Sequence, residues 1–143
     1  MPGFNRVAKI VAKPIPRVLS PQAHAAVDCM RIALFVASAG WFWRRRKRAA
    51  IAALVCASAE GALALLTNYQ TGSGKIFSFN THREIDLGLA SMAAAMPAFL
   101  GFENDAAKNL FLAQGALSTA VLEVTRFTET GRTGKKSPRY LAA

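Results

Sequence analysis

From Ala49 to Thr67 the chain is an unbroken run of apolar and small residues with Glu60 as its only charged side chain. A helix of that length spans roughly 28 Å, about the hydrocarbon core of one bilayer. The run predicts a transmembrane helix. Three further apolar segments accompany it. The first, from Ala23 to Trp43, is apolar from Ile32 onward, carries His24, Asp28 and Arg31 in its early turns, and ends on Trp41 and Trp43, where interfacial aromatics sit. The third runs from Ile85 to Phe102 and is interrupted by Pro97; the fourth runs from Leu110 to Phe127 with Gln114 and Glu123. The competing fold is a soluble helical bundle, which the ionisable residues inside the segments favour. A soluble helix, however, sets a polar face opposite its apolar stripe, and Ala49–Leu66 and Leu87–Leu100 have almost none. Ala, Gly and Ser crowd both stretches instead, as in membrane helices whose backbones approach closely.

With 143 residues and 52% hydrophobic side chains the chain is too apolar for disorder and long enough for one domain. A collagen, a disulfide-stapled scaffold and a multidomain enzyme are excluded. The net charge of +10 rests on basic residues that flank apolar runs rather than interleave with polar helices. That distribution points to a lipid bilayer as partner and away from nucleic acid. Cys29 and Cys56 lie inside apolar runs without metal-ligand spacing and read as small buried hydrophobes. Residues 1–19 are basic and contain no closed apolar region with a cleavage site, so no ordinary signal peptide is expected.

The sequence repeats itself at one constant offset, the separation of His24 from His82. Ser20, His24 and Asp28 fall on Ser78, His82 and Asp86; Ala49, Leu54, Ala62 and Thr67 fall on Ala107, Leu112, Ala120 and Thr125; Tyr69 falls on Phe127. The polar matches weigh most, because alanine coincidences are frequent in an alanine-rich chain. Each copy reads Ser-x-x-x-His-x-x-x-Asp, helix, short loop, helix, Thr-x-aromatic. Two helices per copy are an even number of crossings, so both copies enter the membrane from the same side as parallel repeats.

The segment Met96-Pro97-Ala98-Phe99-Leu100-Gly101-Phe102, followed by a polar loop and a helix containing Gly115, resembles the SPW-repeat family of small bacterial integral membrane proteins. That family carries a Ser-Pro-Trp motif in the first of two transmembrane helices per repeat. Here Met96 and Ala98 flank the proline, and the first copy reads Ser38-Ala39-Gly40-Trp41 without one. The resemblance extends over most of residues 20–127 and implies two helices per repeat and a bacterial inner membrane. It carries over no catalytic residue.

His24 and Asp28, like His82 and Asp86, are spaced four apart and share a helix face. Ser20-Pro21 reads as an N-cap with proline at the first helical position, and Thr81-His82-Arg83-Glu84 matches a capping box. The structural reading has the four polar residues fix helix packing at headgroup level. The chemical reading uses the pseudo-two-fold, which sets two imidazoles and two carboxylates at one depth. That set suits a divalent metal, and the two histidines alone suit a haem. Glu60 and Glu123 are the other intramembrane acids. An ionisable residue in lipid is a functional candidate by default, but Arg31 can pair with Glu60 or Asp28, and Glu123 is near enough to a helix end to snorkel. No nucleotide-binding loop, hydrolase elbow or zinc-protease motif occurs.

The basic cluster Arg44, Arg45, Arg46, Lys47 and Arg48 lies in a short loop and reads as a membrane-surface anchor or topology signal. Basic residues are more numerous on the side holding both termini, which favours cytoplasmic termini; the cluster itself argues the reverse. The expectation is an all-α, four-helix transmembrane bundle of two tandem parallel hairpins. Its parts are a basic segment (1–19), a first repeat (20–70), a Gly/Ser-rich connector (71–77), a second repeat (78–127) and a basic tail (128–143). The expected role is a non-enzymatic structural or partner-packing subunit, associating with other membrane subunits or itself, with no cofactor required. The alternatives are a small-solute or ion conduit, or a metal- or haem-binding membrane protein.

Overall fold

The computed structural model describes residues 16–69 and 76–127. Most of the basic N-terminal segment and of the connector, and the whole of the tail, lie outside the described residues. The described chain is mostly helical: α1 (Pro21–Phe42), α2 (Lys47–Leu66), α3 (Phe79–Phe99) and α4 (Lys108–Val124), with short extended pieces β1 (Thr67–Asn68) and β2 (Phe77–Ser78). Helices α1 and α2 pack as one hairpin, α3 and α4 as another, and α2 lies against α3. Two helices, α1 and α2, are long and apolar enough to cross a membrane.

The helix starts follow from local chemistry. Ser20 caps α1 by accepting from the Ala23 amide at 3.2 Å, with Pro21 in the first helical turn. Ser78 does the same for α3, accepting from Thr81 N at 3.1 Å. The expected capping box at Thr81–Glu84 is therefore corrected: the helix begins one turn earlier, and Thr81 is already inside it. Alignment of Ser78 with Ser20 in the repeat is the better signal.

The helix ends are equally explicit. Pro97 does not interrupt α3, which continues to Phe99. It stands in the last turn, where its carbonyl accepts from Phe102 N at 2.8 Å while Gly101 N donates to the Ala98 carbonyl at 3.3 Å. This is a Schellman termination, and it requires the left-handed conformation that Gly101 adopts at φ 66°. α2 and α4 end differently, on Thr67 and Thr125, which turn extended. Each threonine hydroxyl donates back to a carbonyl four residues earlier, Leu63 and Val121, at 2.6 Å. Beyond them the chain pairs in parallel, Thr67 with Phe77 and, at the equivalent positions of the repeat, Thr125 with Leu19.

Burial is divided along the bundle. In α1 the inward stripe is His24, Asp28, Arg31, Phe35 and Ala39, so its first half is polar and its second apolar. The apolar half joins Ala49, Ala53, Cys56, Met96, Phe102 and Phe111 into one core at the end of the two hairpin loops. Cys56 is buried as expected, whereas Cys29 is exposed. The outer surface is apolar over wide areas: Met30, Leu34, Val36, Val55, Leu65 and Phe99 are all exposed, Leu65 by 77% and Phe99 by 82%.

Candidate metal centre

At the end of the bundle where α1 and α3 begin, His24, Asp28, His82 and Asp86 converge, all buried. Position i and i+4 on α1 and the same positions on α3 face one another across the bundle axis. The two Nε2 atoms are 3.3 Å apart. Asp28 Oδ2 is 3.3 Å from His82 Nε2 and 3.5 Å from His24 Nε2, and Asp86 Oδ2 is 4.0 Å from His24 Nε2.

Hydrogen bonding on the far side of each ring assigns the tautomers. His24 Nδ1 is 2.9 Å from Thr125 Oγ1, and His82 Nδ1 is 2.9 Å from Thr67 Oγ1. Each hydroxyl has already given its single proton to a backbone carbonyl, so it accepts from the ring, and Nδ1 carries hydrogen in both histidines. In the neutral rings both Nε2 atoms then present lone pairs to the same point. Each histidine is held by a threonine that follows a helix of the other hairpin. In the sequence these threonines are marked only as matched positions of the repeat, with no partner visible.

Below the histidines Arg31 gathers the acids. Its Nη1 lies 3.3 Å from Asp28 Oδ1 and 3.3 Å from Asp86 Oδ1, and its Nη2 lies 2.6 Å from Glu60 Oε1. The expected pairing of Arg31 with Glu60 or Asp28 thus becomes a pairing with both and with Asp86. Ser118, the repeat counterpart of Glu60, donates to Asp86 at 3.3 Å, so the polar role survives the change of residue type. With every acid ionised, three carboxylates and one guanidinium leave two formal negative charges in a buried site. Arg31 Nε, Glu60 Oε2 and both polar atoms of Gln114 have no hydrogen-bond partner among the described residues. They mark the level at which the polar stripe meets the apolar core.

Aromatic rings cover the histidines on the outer side. Phe79 and Phe127 stack at 4.6 Å, His24 meets both edge-on, and Tyr69 lies 5.2 Å from His82. The Tyr69 hydroxyl donates to Asp28 Oδ2 at 2.9 Å. Burial, and then the nearby Asp28 charge, push that hydroxyl well above the ordinary tyrosine range, so it stays a donor.

The remaining sequence candidates lie apart from this centre. Glu123 is half exposed on its side chain and faces Arg83 at 4.0 Å, outside the buried network; its repeat counterpart Leu65 also points outward. Arg44, Arg45, Arg46, Lys47 and Arg48 sit at the opposite end of the bundle, in and after the α1–α2 loop, all exposed. No family model, curated protein or solved structure matches the chain.

Proposed function

We propose that the chain is an integral membrane protein, a bundle of two parallel hairpin repeats locked together by one divalent transition-metal ion held by His24, Asp28, His82 and Asp86. The observation that carries this reading is the pair of Nε2 lone pairs facing each other at 3.3 Å. Two such lone pairs repel unless a cation or a proton stands between them. A tetrahedral zinc-type ion with bonds of about 2.0–2.1 Å would separate its donors by roughly 3.3–3.4 Å; the separations among His24, His82 and Asp28, 3.3, 3.3 and 3.5 Å, match, and Asp86, 4.0 Å from His24 Nε2, would have to close in to complete the set. The threonine bonds to Nδ1 are the outer-shell bonds that orient metal-binding imidazoles. A divalent ion would also offset the excess of carboxylates over the single guanidinium.

Four protein donors would close the coordination sphere, which favours a structural centre over a catalytic one and supports a non-enzymatic role. A haem fits poorly, because Asp28 and Asp86 lie where its macrocycle would have to pass between the rings. An ion conduit fits poorly too, since Phe35, Phe111 and Phe102 fill the interior beyond Arg31. The membrane part of the proposal rests on α1 and α2, long and apolar enough to span a bilayer, and on the wide exposed apolar surface of all four helices, which suits lipid better than water. The matched pairings of Thr67 with Phe77 and of Thr125 with Leu19 support the two-repeat architecture.

Metal analysis of the detergent-purified protein tests the centre. About one equivalent of zinc is expected, replaceable by cobalt with a visible tetrahedral spectrum, and lost in His24→Gln and His82→Gln. Thr67→Val and Thr125→Val, which keep shape and remove only the hydroxyl, should each weaken metal binding by about 10- to 100-fold. A protein that stays metal-free in excess zinc or cobalt, with no thermal stabilisation, would leave a proton shared between the histidines as the occupant and refute the metal centre.

A further inference from the structure

At the loop end of the bundle, Arg45, Lys47 and Arg48 on one wall and Gly101, Asn104 and Asp105 on the other line an open hollow of about 460 Å³. Its walls are tied together. Arg46 pairs with Asp105 at 3.2 Å, and Arg48 Nη1 donates to the Gly101 carbonyl at 3.1 Å, joining the α1–α2 loop to the turn after α3. The single acid lining the cavity is therefore already paired. The side chains of Arg45 and Lys47 have no hydrogen-bond or ion-pair partner among the described residues, so two cations stand over the hollow with no unpaired acid beside them. α2 also starts here without a side-chain cap, which leaves its first amides short of an acceptor. The depth is set by Trp41, Trp43 and Phe99, exposed by 84%, 51% and 82% around the same end. Such rings lie at the headgroup level of a bilayer.

We propose that this hollow binds the phosphate of an anionic phospholipid, with Arg45 and Lys47 as its ligands. The proposal rests on the membrane reading above but not on the metal centre, which lies at the other end of the bundle. A phosphodiester offers the acceptor oxygens that guanidinium and ammonium groups seek. A zwitterionic headgroup brings a quaternary amine that the cluster repels.

Protein in neutral detergent is titrated with short-chain phosphatidylglycerol, short-chain phosphatidylcholine or inorganic phosphate, and thermal stability is followed. Phosphatidylglycerol should raise the melting temperature saturably and phosphatidylcholine should not. Arg45→Gln and Lys47→Gln should each weaken the effect about ten-fold or more, as expected for losing a hydrogen bond to a charged partner. Arg44→Gln, one residue from the cavity lining, should weaken it about five-fold or less, the loss expected of surface charge alone. Because Arg46–Asp105 and Arg48–Gly101 remain, these variants keep the loop contacts. Equal losses in all three variants, or no saturable response, would overturn the site. Equal stabilisation by inorganic phosphate would overturn the lipid as its source. Failure of the membrane reading shows separately, as release of the chain from carbonate-washed membranes.

Discussion

Arg31 stands at the centre of the buried charge network, and the three acids it serves do not depend on it equally. Without its guanidinium, Glu60 keeps no other ion-pair partner among the described residues, while Asp28 retains His82 and Tyr69, and Asp86 retains Ser118. Removing one member of a buried pair strands the other charge, at a cost of about 3–5 kcal/mol. Changing the acid to its amide leaves a hydrogen-bonding group of the same shape, at about 1–3 kcal/mol. Arg31→Ala is therefore expected to lower stability in detergent more than Glu60→Gln, measured by thermal or denaturant unfolding of the two variants side by side. The reverse order would mean that Arg31 is not the keystone of the network.

Between elements, the tightest approach is set by a residue with no side chain. A Cβ placed on Gly115 of α4 would lie 2.8 Å from the Ala90 carbonyl oxygen of α3 and 3.2 Å from Ala94 Cβ. Backbone cannot yield as a flexible side chain can, so the helices must separate. Gly115→Ala should destabilise the α3–α4 hairpin by about 1–3 kcal/mol, the usual cost of overpacking. Gly88, also helical, has nothing within 4 Å of its Cβ position. Gly88→Ala should be neutral or stabilising by about 0.5–1 kcal/mol through helix propensity alone. Comparison of the two melting curves checks both statements, and equal effects would show that the α3–α4 contact is looser than described.

For the whole molecule the decisive property is that the interior is polar over the histidine half and apolar over the loop half, while large apolar side chains cover much of the outside. Large apolar side chains on α1, α2, α3 and α4 face outward, while His24, Asp28, Arg31, Glu60, His82 and Asp86 face inward. In water this arrangement would expose apolar patches that drive association; in lipid it presents the bilayer with the surface it prefers. Carbonate-washed membranes should retain the chain, and its recovery as a monodisperse soluble protein without detergent would refute the membrane proposal. The limited hydropathy of α3 and α4 has two sources: His82, Asp86, Gln114 and Ser118 are turned inward, while Glu84, Asn109 and Glu123 lie on the exposed side.

Helical content, the four segments and the pairing of polar positions were legible in the sequence because they depend on local signals: apolar run length, Ser20 before Pro21, and the recurrence of His-x-x-x-Asp. Helix ends were legible only in part. Pro97 read as an interruption because proline opposes helix interiors, yet in a last turn its missing donor costs little when Gly101 closes the helix behind it. Thr67 and Thr125 were visible as repeat matches without a task, since the histidines they hold are 15 and 101 residues away. Glu60 and Glu123 were separated in the sequence by their place along the helix, mid-span against helix end, but not by the neighbour each one faces. One is buried against Arg31 and the other lies outward near Arg83. Which residues share one helix face follows from the helical repeat alone. Which faces meet, and therefore that two imidazole lone pairs point at one another while one arginine serves three acids, was decided only by the docking of α1, α2 and α3, through contacts between residues distant in the chain.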